Sequence, residues 1–101
     1  MTYRIIQGSG QSVGFAAAGG ASAQSAAFGS QTRVIRVCVT GIYSATAGVR
    51  IEIGDNPTAT TTSPLLVLNH PEYFIVTPGQ KIAALGNDTV TGNVSVAECT
   101  Q

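Results

Sequence analysis

The chain has 101 residues, 44% of them hydrophobic and only 10% charged, with 5 Lys and Arg balanced by 5 Asp and Glu. That length fits one compact domain, residues 1–101, burying roughly 65% of the surface its unfolded chain exposes. With no cluster of basic residues to displace counterions from phosphates or to hold an anionic bilayer, neither nucleic-acid binding nor electrostatic membrane binding is expected.

Scarce charge has a second consequence. A free monomer normally uses charge for solubility, whereas this chain uses Gly, Ala, Ser, Thr, Asn and Gln, a surface suited to packing against other protein. A homo-oligomeric or assembled state is therefore expected. Nowhere do ~18 apolar residues run together. The small-residue stretch from Val13 to Ala27 has no basic cluster ahead of it, so a soluble protein made in a cytoplasm is expected.

Along the chain, β-branched residues concentrate in short runs separated by Gly, Pro, Asn and Asp, the punctuation of an all-β protein. Tyr3 to Ile6 is the first strand candidate and Ser12 to Ala16 a weaker second. Ala17 to Ser30 is mostly Ala, Gly and Ser and leaves three options: a flexible loop, an extended arm, or a helical turn around Ala23 to Phe28. On the second option residues 1–30 form a flexible N-terminal arm on the domain.

Arg33 to Thr40 is the strongest strand, with Ile35, Val37 and Val39 on one face and Val34, Arg36 and Cys38 on the other. Val49 to Ile53 alternates in the same way: Val49, Ile51 and Ile53 point inward, and Arg50 and Glu52 point outward toward expected cross-strand partners. Gly54-Asp55-Asn56-Pro57 opens a Thr-rich loop through Ser63. Leu65 to Leu68 reads as a short buried strand and Glu72 to Val76 as another. Pro78-Gly79 has the residues of a type II turn, proline presetting φ at the first central position and glycine tolerating a positive φ at the second. Lys81 to Leu85 pairs back, Gly86-Asn87-Asp88 turns again, and Asn93 to Cys99 follows with Val94 and Val96 inward. About eight short strands without βαβ spacing predict an antiparallel β-sandwich, jelly-roll or Greek-key-like, with a small closed barrel as runner-up.

No set of residues assembles into catalytic chemistry, and no cofactor or metal is expected. Cys38 and Cys99 could form one disulfide, but a cytoplasmic setting favours free thiols. Two cysteines and one histidine fall short of a structural zinc site. His70, followed by Pro71-Glu72, lacks the downstream P-C-x-x-C of zinc deaminases and reads as a loop residue. No serine lies in G-x-S-x-G. Gly8-Ser9-Gly10-Gln11-Ser12-Val13-Gly14 lacks the spacing and following helix of a phosphate loop. Asp55-Asn56 supplies one carboxylate, too little charge for calcium, and suits a loop held by Asx-type hydrogen bonds. Tyr3, Phe15, Phe28, Tyr43, Tyr73 and Phe74 read as core and interface filler because no basic residues interleave with them.

Three segments carry a resemblance: Thr32-Arg33-Val34-Ile35-Arg36-Val37, Ile53-Gly54-Asp55-Asn56-Pro57-Thr58-Ala59-Thr60, and Pro71-Glu72-Tyr73-Phe74-Ile75-Val76-Thr77-Pro78-Gly79-Gln80-Lys81-Ile82-Ala83. On these, roughly Ala23 to Cys99 resembles small virion proteins of tailed bacteriophages, of the capsid decoration or cement type. The third segment is the most specific. The resemblance implies a β-rich subunit on the capsid exterior, commonly a homotrimer, that binds the major capsid protein and stiffens the shell. It brings no catalytic residues. The extended Ala/Gly/Ser segment before Gln31 departs from that pattern. A tail or head-completion protein is the nearest alternative, and a carbohydrate-binding accessory module is a second from another class.

Overall fold

The computed structural model describes residues 4–5, 10–17, 19–40, 48–67, 71–87 and 91–100. Among them are nine strands and no helix: β1 (Arg4–Ile5), β2 (Gln11–Phe15), β3 (Ala23–Gln24), β4 (Val34–Thr40), β5 (Gly48–Gly54), β6 (Leu65–Val67), β7 (Glu72–Ile75), β8 (Lys81–Gly86) and β9 (Gly92–Thr100). One sheet runs β1-β9-β4-β7 with β2 also on β9, and the other runs β3-β8-β5-β6. Every pairing is antiparallel.

The pairs β2·β9, β3·β8, β4·β7 and β5·β6 nest inside one another like a single long hairpin rolled up, and β4·β9 and β5·β8 complete the sheets. That winding is the jelly roll, and its two separate sheets make a sandwich rather than a closed barrel.

Period-2 alternation sets which side chains fill the interior. Val13 and Phe15 of β2, Ile35, Val37 and Val39 of β4, and Val94 and Val96 of β9 face Val49 and Ile51 of β5, Leu66 of β6, and Ile82 and Ala84 of β8. Each fully buried Val, Ile or Leu contributes roughly 1.5–3 kcal/mol. On the opposite side of β4, Val34 is also buried, so this strand is covered on both faces.

The Ala/Gly/Ser stretch is built into the sandwich instead of forming an arm or a helical turn. Ala23 and Gln24 pair with Ala84 and Ala83 of β8. Beyond them the Ser25 N–H donates to the Ile82 carbonyl (2.8 Å), and the Phe28 N–H donates to the Gln80 carbonyl (2.8 Å). Phe28, 3% exposed, joins the core. Small residues let this segment lie flat along β8, whose backbone groups would otherwise be an open edge. Local propensity gives no strand here; the neighbouring edge does.

After β7, the Gln80 N–H donates to the Thr77 carbonyl (3.1 Å) across Pro78-Gly79, and Gly79 has φ of 87°. This is the expected type II turn. A Cβ in that left-handed conformation costs roughly 1–2 kcal/mol. Gly79→Ala is therefore expected to lower the thermal midpoint by about 4–8 °C per kcal/mol lost. Circular-dichroism melting checks this, and an unchanged midpoint would contradict the turn assignment.

Gly48 has a different reason for being glycine: a Cβ there would sit 2.8 Å from the Leu66 carbonyl oxygen, where β6 closes onto β5.

Candidate functional site

Among the described residues the exposed large hydrophobic side chains are Leu65 (41%), Tyr73 (50%) and Ile75 (80%). All three lie on β6 and β7, the last strands of the two sheets. Register explains their exposure. Tyr73 and Ile75 pair with Arg36 and Val34, which occupy the outward face of β4, while Phe74 pairs with the inward Ile35. Leu65 pairs with the outward Arg50. The Val76 N–H donates to the Arg33 carbonyl (2.9 Å). By antiparallel alternation, the backbone groups of Tyr73 and Ile75 therefore point away from β4, along the sheet edge. β6 and β7 present an apolar border carrying one carboxylate, Glu72, within the two strands.

The outer face of the β5–β8 sheet is closed by the Thr-rich loop. Ala59 packs with Ala83 and Leu85 in a second small apolar cluster. Arg50 and Glu52 hold this loop, since their directly opposite neighbours are Leu65, Leu85 and Ala83; across the strands Arg50 reaches Asn87 Oδ1 (3.5 Å), just beyond β8. The Arg50 guanidinium donates to the Ser63 carbonyl (3.2 Å), and the Ser63 hydroxyl donates to Glu52 Oε1 (3.0 Å). The Asp55–Asn56 loop is likewise held by other segments and not by Asx-type turns. The Gln24 amide donates to Asn56 Oδ1 (3.0 Å) and to the Pro57 carbonyl (2.7 Å), and the Ala59 N–H donates to the Ser22 hydroxyl (2.9 Å).

Sequence reading misses one residue with unusual chemistry, Glu98. It is 7% exposed and continues the inward row of Val94 and Val96, opposite Ile35 on β4. Its Oε1 accepts from the Thr32 hydroxyl (2.6 Å) and the Gly29 N–H (2.7 Å), and its Oε2 accepts from the Gln11 amide (3.3 Å). Thr32 is fully buried. A buried carboxylate requires such donors because desolvation strongly penalises an unpartnered charge. The signal that could have found it is the same alternation: the third inward position of β9 carries an acid instead of an aliphatic residue.

The remaining candidates are dispersed. Register places Cys99 opposite Val34 and Cys38 opposite Ser95, so the cysteines lie four positions apart along paired strands, about 13 Å. A disulfide needs Cα atoms within about 7 Å, and both thiols are free. Burial pushes the Cys99 thiol above its ordinary pKa, against smaller lowering by the Arg36 backbone amide and guanidinium. Since the thiolate is the nucleophile, Cys99 is expected to react with iodoacetamide more slowly than half-buried Cys38. Peptide mass mapping over a labelling time course checks the order; equal rates would contradict it. A raised thiol pKa stabilises the fold below the ordinary thiol range, and that contribution is lost as pH rises through it toward the folded value.

Gln11 to Gly14 of the glycine-rich stretch belong to β2, where Gly14 pairs with Asn93. His70, Tyr3, Tyr43, Asp88, Gly8 and Ser9 lie outside the described residues. Among the described residues no three of His, Cys, Asp and Glu come together as a metal site. No helix among them is long and apolar enough to cross a membrane.

Compared with the profiles of known families, with curated proteins and with solved structures, the chain matches none.

Proposed function

We propose that this protein is a structural subunit of a tailed-phage particle that decorates the capsid exterior and stabilises the shell by binding the major capsid protein. The observation that carries this reading is the segment Pro71 to Ala83. It holds the most specific part of the resemblance, and it forms β7, the type II turn and the first half of β8, with Tyr73 and Ile75 turned outward. A homotrimer fits the threefold positions of an icosahedral shell, where three identical contacts multiply the effective affinity without added charge. The 10% charged composition supports contacts that are apolar and hydrogen-bonded, not ionic. On this reading the protein performs no enzymatic turnover and needs no cofactor.

The test mixes purified protein with undecorated heads and with naked DNA across a range of salt. Saturable binding to heads at many copies, retained in high salt, and no binding to DNA are expected. Binding at a few copies would favour a tail or head-completion role. Binding only to glycans on an array would favour a carbohydrate module using exposed Tyr73. Ile75→Asp should weaken head binding while leaving stability within about 0.5 kcal/mol, because the side chain is 80% exposed. Unchanged binding in that variant would move the contact away from β7.

A further inference from the structure

The buried acid at Glu98 brings together the parts of an acyl transfer, independently of any role on a capsid. The Thr32 hydroxyl donates to Glu98 Oε1 at 2.6 Å, and the Gln11 amide nitrogen donates to Glu98 Oε2 at 3.3 Å. The carbonyl oxygen of the same Gln11 amide accepts from the Ala26 N–H at 3.0 Å. A nucleophile rests on one oxygen of a general base. The future leaving group rests on the other, and a backbone donor polarises the electrophile. Thr32 is 0% exposed and Glu98 7%, so water is kept from the nucleophile and the base, while the Gln11 amide is half-buried beside exposed Ala26, to whose carbonyl it also donates (3.4 Å).

We propose that Thr32 and Gln11 condense into an intramolecular ester through Glu98. Glu98 takes the hydroxyl proton as the Thr32 Oγ1–Gln11 Cδ bond forms. The Ala26 N–H stabilises the negative charge that develops on Gln11 Oε1. Collapse of this tetrahedral centre breaks the Cδ–Nε2 bond, and Glu98 returns the proton to the departing nitrogen, which leaves as ammonia. Hydroxyl plus carboxamide become ester plus ammonia, Glu98 is regenerated, and no oxidant or co-reactant is needed. Attack requires the oxygen to come within about 3–3.5 Å of Cδ, and both groups rest on the two oxygens of one carboxylate. The product fastens β2 covalently to the segment that enters β4.

The test is the intact mass of the purified protein under denaturing conditions. The expected mass is about 17 Da below that of the sequence, one ammonia, and Thr32→Ala and Glu98→Gln should each show their full sequence mass. Trypsin places Gln11 and Thr32 in one peptide, Ile5 to Arg33. That peptide should carry the deficit and give no backbone fragments between its two linked positions. Mild alkali should open the ester and leave Glu at position 11, about 1 Da above the sequence mass. Wild-type protein at its full sequence mass overturns the proposal whether or not the variants fold. A deficit that persists in Thr32→Ala also overturns it, by placing the loss elsewhere.

Discussion

Replacing Ile35 with Ala is expected to remove about 3–4 kcal/mol of stability, a large share of the roughly 5–15 kcal/mol typical of a whole domain. Ile35 is fully buried at the middle of its sheet, paired with Phe74 on β7 and Glu98 on β9. Truncation loses the transfer energy of three carbons and leaves a cavity that strands fixed on both sides cannot close. For a domain of this length, each kcal/mol lowers the thermal midpoint by about 4–8 °C, so the variant should melt at least about 12 °C lower. Ile35→Val, which removes one methylene, should cost about 0.5–1.5 kcal/mol. Urea and thermal unfolding of both variants measure the effect. A loss below about 1 kcal/mol for Ile35→Ala would contradict its placement at the core.

Glu98→Ala is expected to cost about 2–5 kcal/mol for a different reason. Truncation leaves the buried Thr32 hydroxyl without its acceptor, and a buried donor left unpaired costs about 1–3 kcal/mol; it also takes the acceptor from the part-buried Gly29 N–H and opens a cavity at an inward position. Neither variant can form the proposed ester, and Thr32→Val keeps the carboxylate bonded to Gly29 and Gln11, so it should cost less than Glu98→Ala. The readout that separates this mechanism from simple loss of packing is hydrogen exchange. The Gly29 amide should lose protection in Glu98→Ala more than the β4 and β5 amides do. Uniform loss across the sheets would point to cavity formation, and an unchanged melting temperature would remove Glu98 from its bonded position.

These two expectations differ in how far the sequence anticipates them. The burial of Ile35 is legible directly, because Ile35, Val37 and Val39 alternate with Val34, Arg36 and Cys38, and a slip of one residue would turn every one of them to the wrong face. The same holds for Val49, Ile51 and Ile53 on β5. Pro78-Gly79 is legible for a local reason: its backbone angles are set by the residues themselves. Glu98 is legible only in part, since alternation points it inward while its chemistry argues for solvent. The donors that resolve the conflict come from Gln11, Gly29 and Thr32, between 66 and 87 positions away in the chain.

The all-β class, the inward faces of β4, β5 and β9, and the turn between β7 and β8 are thus local properties, because they rest on period-2 patterning and on residue-intrinsic dihedral preferences. Three other features come from long-range packing. Ala23–Gln24 became a strand because β8 offered an unpaired edge, which no property of Ala or Gln announces. Arg50 and Glu52 turned to Ser63 because the loop folds back over the outer face of their sheet, where the cross-strand positions are apolar. The two cysteines were held apart because the β4·β9 register, a long-range pairing, fixes their separation along the strands. Each of these depends on which distant segment arrives as a neighbour, and that is settled only when the rolled hairpin closes.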